Sequence, residues 1–287
     1  MGSAWMLVGG LCFALMSAVV QVAGQWFSGV ELVFYRSLVG FVAIAAPMFW
    51  RHGGAAAGHL RGDHLASHLR RGLVGFLALS TFFYALIHLP MSVAVTLNYA
   101  SPLYLALLMP WQLGERPSPA QYAAVAVGFA GVALLLRPWE TAPGDLFAGL
   151  AGLFSGVMAA IAYVHVRRLG RLHEPEWRTV FWFAVVGTLG GAAVTSVTGW
   201  HALHAENLPW LLLLGALATL GQLAMTRAYR TGQTAVVASF AFSTVLFSSI
   251  LDVLLWGRTL PILAWCGVAV TVASGIWAVR LNNGDKA

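Results

Sequence analysis

The chain has 287 residues, of which 59% are hydrophobic and only 9% are charged, with a net charge of +6 and a mean hydropathy of +0.78. A soluble domain carries about 25% charged residues, so this composition cannot cover a water-facing surface and excludes a soluble globular protein. We therefore predict an all-α membrane protein, because lipid offers no hydrogen-bond partner to an unpaired backbone.

Ten apolar stretches follow one another along the chain, each close to the roughly 20 residues that cross hydrocarbon as a helix. They lie at 4–23, 30–49, 69–89, 91–113, 119–136, 146–166, 178–198, 208–226, 233–256 and 261–280. Short loops connect them, and no segment is left over for a soluble domain. Any function must therefore be performed within the helix bundle.

The basic residues indicate how these spans are oriented. If the N-terminus is cytoplasmic, then Arg36, Arg137 and Arg258 are the basic residues that fall outside the cytoplasmic loops and their edges. This is the positive-inside bias, and it predicts that both termini are cytoplasmic. It also accounts for the net positive charge without a nucleic-acid partner.

The two halves of the chain follow one plan. GERPS at 114–118 corresponds to GRTLP at 257–261, and FAGVALLLR at 129–137 corresponds to ASGIWAVR at 273–280, an offset of about 142–144 residues. We predict one repeat over 1–140, with spans one to five, and a second over 141–287, with spans six to ten. Because five is odd, the second repeat must enter the membrane from the opposite side. Such inverted repeats around a central cavity are typical of secondary transporters, and a duplicated structural bundle is the alternative.

A polar cluster interrupts the fourth predicted span, where residues 98–102 read NYASP. Pro102 has no N–H, so the carbonyl of Asn98 loses its helical donor, and polar groups at this depth are expected to face a cavity. Asn98, Tyr99 and Ser101 could bind the ammonium and carboxylate of an amino acid. The alternative is a packing kink in which Asn98 bonds to a neighbouring helix.

Other residues are weaker candidates for the same cavity. Ser243 and Thr244 in the ninth span correspond to Ser101 and Pro102 when the repeats are overlaid, although they could simply join helices. The remaining substrate-binding candidates are polar or aromatic residues at other helices: Tyr84, Tyr163 and Gln222.

Charged residues inside the spans are scarce. Asp252, near the end of the ninth span, is expected to pair with Arg258 or Arg36, and the alternative is a proton or ammonium site. Arg36 at the start of the second span is expected to extend towards the interface. We assign structural or gating roles to Glu115, Arg36 and Gln21.

The ten spans in two repeats, the Gly-Glu turn at 114–115 and the Gly-rich fifth span resemble the drug/metabolite transporter superfamily, EamA type. Within it, NYASP at 98–102 resembles the fourth span of the YddG-like aromatic amino acid exporters. Arg258 and Thr244 depart from the family pattern, which has an acidic residue and often a proline at these places.

This resemblance implies an exporter in the bacterial inner membrane that works by alternating access. Its substrates would be aromatic or other neutral amino acids, or related small metabolites. A different metabolite or drug class, or a structural membrane protein without transport, are the alternatives.

We predict neither an enzyme nor a cofactor or metal site. A GxSxG motif is missing, and HEPEW at 173–177 lacks the second histidine of HExxH. His64 and His68 have a spacing that zinc could use, but a solvated basic loop accounts for them. A channel would need a ring of charges or carbonyls. The expected partners are a small-molecule substrate and lipid, and the expected state is a monomer.

Overall fold

A computed structural model describes residues 2–52, 60, 62–101, 103–104, 119–136, 143–232, 237, 240–258 and 261–284. Within these ranges all regular structure is helical, and a short 3-10 turn at Gly2–Ala4 precedes ten α-helices. They are α1 (Trp5–Ala23), α2 (Gly29–His52), α3 (Leu65–His88), α4 (Met91–Asn98), α5 (Pro119–Leu136), α6 (Pro143–Arg171), α7 (Glu176–Thr198), α8 (Leu208–Thr231), α9 (Ser243–Trp256) and α10 (Ile262–Gly284). The predicted all-α class is confirmed.

In the part of the chain that the structure describes, six helices are long and apolar enough to cross a membrane: α1, α2, α3, α6, α7 and α8. Their apolar segments have 22 to 28 residues, and at 1.5 Å per residue even the shortest spans about 33 Å. Shorter apolar helices lie within α5, α9 and α10. Several helices extend past the predicted hydrophobic limits, because the backbone stays helical after the chain leaves hydrocarbon.

The fourth and ninth predicted spans are both interrupted. Helix α4 ends at Asn98, a turn follows at Tyr99 and Ala100, and helical geometry resumes at Ser101. In the second half a turn at Phe242 separates helical residues Phe240 and Ala241 from α9. The two turns are about 142–143 residues apart, which is the spacing of the sequence repeat. Pro102 itself lies outside the described residues.

The helix pairs that pack together are symmetric under exchange of the two halves. The pairs α2–α7, α4–α9 and α5–α10 each join a helix to its counterpart five places later. When each helix is replaced by its counterpart in the other half, the pair α3–α6 becomes α8–α1. Both of these pairs pack extensively. The same holds for α2–α8 with α7–α3, and for α4–α6 with α9–α1. The two halves therefore interlock around a common centre and do not form separate lobes.

Small residues allow this close packing. A Cβ added at Gly191 of α7 would lie 2.8 Å from the Cβ of Phe34 in α2. A Cβ added at Gly156 of α6 would lie 2.8 Å from the carbonyl oxygen of Leu97 and 3.1 Å from that of Asn98. Helix α6 therefore packs directly against the backbone where α4 ends, and a larger residue at Gly156 would push the two helices apart.

Candidate functional site

A cavity lies between the helices near the end of α4. A volume of about 80 Å³ inside it is accessible to the centres of water molecules, which is room for several waters or a compact solute. Helices α1, α2, α3 and α4 of the first half contribute to its wall, together with α6, α7 and α8 of the second. Its lining residues are Phe13, Met16, Ser17, Arg36, Arg71, Gly75, Ala78, Leu79, Phe82, Asn98, Tyr99, Ala159, Ala162, Tyr163, Phe183, Gln222 and Met225.

Two arginines enter this cavity from different helices. Arg36 is about 10 Å along α2 from Gly29, and Arg71 is about 9 Å along α3 from Leu65. Each arginine is only 4% exposed. The Arg71 guanidinium carbon lies 4.0 Å from the centre of the Phe183 ring, and that of Arg36 lies 5.2 Å from the same centre. The aromatic ring of α7 therefore holds both cations through cation–π contacts.

The two guanidinium groups are almost without hydrogen bonds. Nη2 of Arg71 donates to Oε1 of Gln222 at 3.3 Å. Among the described residues, Nε and Nη1 of both arginines have no hydrogen-bond partner. None of the described lining residues is acidic. No carboxylate in the described part of the chain compensates the two buried positive charges of the cavity, and such an arrangement is costly unless a bound group compensates it.

The described carboxylates that form ion pairs are engaged with other residues outside the cavity. Glu31 accepts hydrogen bonds from the backbone N–H and Nδ1 of His201, at 3.0 and 2.7 Å. Glu176 pairs with Arg230 at 2.7 Å. Glu31 is fully buried in this contact and Arg36 faces the cavity, so these two residues do not extend towards the interface as their position in the sequence suggests.

Four of the predicted substrate-binding residues line the cavity: Asn98, Tyr99, Tyr163 and Gln222. Nδ2 of Asn98 donates to Oγ of Ser155 in α6 at 2.9 Å, and Ser155 donates in turn to the carbonyl of Gly152 at 2.6 Å. Asn98 thus borders the cavity and also bonds to a neighbouring helix, and its role in binding a substrate stays a prediction. Its carbonyl oxygen is, with that of Leu97, one of the groups close to Gly156.

The two cavity tyrosines also make helix contacts. Tyr163 of α6 stacks on Tyr229 of α8, with ring centres 5.7 Å apart. Tyr99 is buried next to Thr244 and Tyr163. An aromatic wall therefore continues from the end of α4 to α8, on the side of the cavity that carries Arg71 and Gln222.

Other predicted site residues lie away from the cavity. Tyr84 stacks on His88, with ring centres 4.1 Å apart, and packs edge-on against Phe147. Ser101 is buried outside the cavity wall. Oγ of Ser243 and Oγ1 of Thr244 face Gly10 of α1, where an added Cβ would lie 2.7 and 2.9 Å from them. Pro102 and Glu115 are outside the described residues.

Asp252 forms a polar cluster with Ser92, Arg258 and Gln21, which we call the Asp252 cluster. Oδ2 of Asp252 accepts hydrogen bonds from the backbone N–H and the hydroxyl of Ser92, both at 2.7 Å. Oδ1 lies 3.5 Å from Nη1 of Arg258, which also donates to Oε1 of Gln21 at 3.0 Å. Gln21 donates to the carbonyls at the end of α3. Arg258, and not Arg36, is therefore the cationic partner of Asp252.

This cluster explains how an acid is tolerated near the C-terminal end of α9. Ser92 is in the first turn of α4, where backbone N–H groups lack helical acceptors and the helix dipole is positive. Asp252 belongs to α9 but accepts hydrogen bonds from the first turn of α4. This favourable contact offsets the unfavourable position of its negative charge near the C-terminal end of α9. The cluster thereby joins the start of α4 to the end of α9.

A second ionic group lies between α6 and α7. Oε2 of Glu174 lies 2.7 Å from Nη1 of Arg178 and 3.4 Å from Nε2 of His68. Burial raises the pKa of the Glu174 carboxyl, but the hydrogen bond and charge of Arg178, with those of His68, outweigh it, and the net pKa lies below its ordinary value. Glu174 is therefore ionised in the folded protein at neutral pH.

The charge pattern of the sequence does not predict that Arg71 enters a cavity, because it assigns this arginine to a cytoplasmic loop. A pattern in the sequence does point to it. Arg71, Gly75, Ala78 and Phe82 share one face of α3 and all line the cavity. An arginine that is followed by small residues on the same helix face has space for its side chain inside the bundle. This pattern could have indicated that the face lines a cavity.

Comparison with known proteins assigns the family. The model of the EamA-like transporter family matches residues 1–137 and 146–280. The chain belongs to the EamA-like transporter family. The predicted superfamily is thus confirmed, whereas the closer resemblance to YddG-like exporters stays a prediction.

Relatives of this EamA-like chain are transporters. It is 30% identical to the pseudopaline exporter CntI of Pseudomonas aeruginosa over 274 residues, which cover 95% of this chain and 93% of that protein. It is 26% identical to a riboflavin transporter of Rhizobium johnstonii, over 97% of this chain and 91% of that one. A crystal structure with 20% identity superimposes with a TM-score of 0.68 and covers all of both chains, which shows the fold.

These findings establish a multi-pass membrane transporter and not an enzyme. A transporter of this family acts on a small molecule in a lipid environment. Two of the relatives are transporters of chemically different substrates, pseudopaline and riboflavin. Similarity to relatives alone therefore does not identify the substrate of this EamA-like protein.

Proposed function

We propose that this protein exports amino acids, aromatic or other neutral, or related small metabolites across the bacterial inner membrane by alternating access. Two inverted repeats, 1–140 and 141–287, would move against each other, with both termini in the cytoplasm. The observation that carries the proposal is the cavity between the halves, which a few polar groups line and which is bordered by the interrupted end of α4.

The exchange symmetry of the helix pairs supports this mechanism. A pair such as α3–α6 and its counterpart α8–α1 provide two equivalent seams. If the repeats are inverted, these seams face opposite sides of the membrane, so that one can open while the other closes. The Asp252 cluster, which joins α4 to α9, would then hold one side closed, and its contacts would separate when that side opens.

The positions of the cavity residues support a solute site. Most of the wall is apolar, and a few polar groups converge on the space: Asn98, Tyr99, Tyr163 and Gln222 with the two arginines. This combination is typical of small-molecule sites, in which polar groups orient the solute and apolar groups surround it. An amino acid would place its carboxylate at the arginines and its side chain against the tyrosines.

Counterflow in liposomes tests the proposal. Purified protein is reconstituted, vesicles are loaded with a mixture of unlabelled amino acids, and uptake of each labelled amino acid is followed without an imposed gradient. We expect saturable uptake that depends on the internal solute. Uptake that does not saturate would indicate a channel, and no uptake of any amino acid would reject the amino acid assignment.

The variant Asn98→Leu tests whether the end of α4 is part of the site. We expect it to abolish counterflow while thermal stability stays nearly unchanged, because Ser155 keeps its own bond to the Gly152 carbonyl. The matched control is Ser155→Ala, which removes the packing partner and leaves the amide in the cavity, and it should transport normally. Equal loss of transport in both variants would show that Asn98 acts only through packing.

A further inference from the structure

We propose that the cavity selects a small organic dianion, a molecule with two carboxylates or similar acidic groups, and that Arg36 and Arg71 bind them. The inference rests on the proposed transport function and sharpens its substrate class. A neutral amino acid can place its one carboxylate at the arginines, but its ammonium keeps the net charge of the occupied cavity at +2. A dianion brings this net charge to zero.

The charge of the wall is the first argument. Two arginines, each 4% exposed, share a cavity whose described lining has no acidic residue. A buried ion is stable only when a partner compensates for the water that it has lost. The described carboxylates that form ion pairs are committed to other cations, as with Glu174 and Asp252. These described carboxylates are therefore not available to Arg36 or Arg71, and in the proposed complex a bound anion takes this role.

The geometry of the guanidinium groups is the second argument. The guanidinium carbons of Arg71 and Arg36 lie over the Phe183 ring, at 4.0 and 5.2 Å from its centre. A cation–π contact needs no hydrogen bond from the N–H groups, and Nε and Nη1 of both residues have no hydrogen-bond partner among the described residues. Edge N–H groups in a planar fork match the two oxygens of a carboxylate. Phe183 thus orients the two cations without using the donors that bind an anion.

The fixed position of Arg71 is the third argument. Gly75 lies one turn after Arg71 on the same face of α3, and a Cβ there would lie 2.8 Å from Cε2 of Phe183 and would also meet Nη1 of Arg71. Glycine thus leaves room for the guanidinium of Arg71 beneath the Phe183 ring, which a larger residue would displace. Gln222 fixes the other side of Arg71 through Nη2, so this cation is held in place before the anion arrives.

The test compares solutes of one chain length that differ in charge. Thermal unfolding of the purified full-length protein is measured with glutarate, with its neutral diamide and with the zwitterion δ-aminovalerate, and with glutamate and phthalate as further dicarboxylates. We expect at least one dicarboxylate at tenfold excess over its Kd to raise Tm by about 3 °C or more. The diamide and the zwitterion should raise it much less.

Variants of the two arginines test whether these residues cause the rise in Tm with a dicarboxylate. Arg36→Gln and Arg71→Gln should each weaken the apparent affinity for the dicarboxylate by at least about tenfold, and Arg71→Lys should retain part of it. Without ligand, Tm of the glutamine variants should equal or exceed that of the wild type, because an uncompensated buried cation has been removed. A purely structural role would lower Tm instead. The matched control is Arg230→Gln, an exposed arginine paired with Glu176, which should keep the full shift.

Two results would overturn the proposal. One is that none of the dicarboxylates stabilises the wild type more than the neutral diamide does. The other is a shift that persists unchanged in both glutamine variants. Counterflow of neutral amino acids together with the first result would leave the transport proposal standing. A charge-dependent shift without any counterflow would support the anion site and reject transport.

Discussion

The Asp252 cluster and the central cavity bury charged groups to a similar extent but differ in how these are compensated. Asp252 is 2% exposed and accepts two hydrogen bonds from Ser92 with Arg258 nearby. Arg36 and Arg71 are 4% exposed, and among the described residues their Nε and Nη1 groups have no hydrogen-bond partner and no acidic residue lines their cavity. Compensation within the chain indicates a structural contact, whereas its absence indicates that a ligand completes the site. Burial alone therefore does not distinguish a structural charge from a functional one.

The largest effect is expected at Asp252, because its removal leaves the first turn of α4 without an acceptor. Asp252→Leu should lower the free energy of unfolding by about 3 kcal/mol, from two hydrogen bonds to a buried charged group. Asp252→Asn, which keeps one acceptor, should have a smaller effect. The measurement is unfolding of the purified protein in detergent. This behaviour is opposite to that of Arg71→Gln, whose ligand-free stability should not fall.

The control for this prediction is Asp145→Asn, an exposed acid in the first turn of α6, which should change stability by less than about 0.5 kcal/mol. If Asp252→Asn kept full stability but lost the pH dependence of transport, Asp252 would be a proton site instead. The contrast between the two regions would then no longer hold.

Glu174 lies outside the membrane spans, and its ion pair with Arg178 is a further charged contact that is compensated within the chain. Its folded pKa is below the ordinary value of about 4.3, so its stabilising contribution is complete above that pH and is lost as the pH falls through the lowered folded pKa. We expect a contribution of about 1 kcal/mol at neutral pH, from one charged hydrogen bond to Arg178.

Glu174→Gln tests this contribution through the pH dependence of Tm between about pH 7 and pH 3. The variant should lose stability at neutral pH and approach the wild type in acid, where the wild-type carboxyl is protonated. Glu206→Gln, at an exposed loop position, is the control and should follow the wild type throughout. Parallel curves for Glu174→Gln and the wild type would show that the carboxylate contributes nothing.

The smallest effect is expected at Arg258, the exposed partner of Asp252. Its side chain is 42% exposed and lies 3.5 Å from the carboxylate, so screening by water leaves little energy in the pair. Arg258→Gln should change stability by less than about 1 kcal/mol, and high salt should reduce even that difference. A loss as large as that of Asp252→Leu would show that the arginine, and not the cap on α4, holds the cluster together.

Much of the architecture could be predicted from the sequence because hydrophobic length is a local property. Apolar stretches near 20 residues predicted the helices, and the Asn98–Pro102 cluster predicted an interruption that α4 shows at Tyr99 and Ala100. Tyr163 and Gln222, two of the candidates from the sequence, border the cavity, since polar or amphipathic residues in such helices are costly facing lipid. Their role in binding a substrate stays a prediction.

The places of the charges could not be predicted in the same way. Arg71 follows Arg70 at the start of a helix, where a charge usually reaches the interface, and Arg36 is close to the start of another. Whether such a side chain turns to water or to the centre depends on the rotation of its helix and on the residue across from it. Here that residue is Phe183, on a helix more than a hundred residues further along the chain.

Composition and hydropathy were thus sufficient to establish a helical membrane protein, and the periodic plan of the chain was sufficient to indicate two halves. Both the hydropathy and the periodic plan are properties of many residues together, so a wrong assignment at a single position barely changes either of them. The pairing of Asp252 with Ser92 and the meeting of Arg36 with Arg71 each depend on a few contacts between distant segments. Such contacts arise only when helices pack at particular distances and rotations, and for this reason the chemistry of the cavity emerged only from the folded chain.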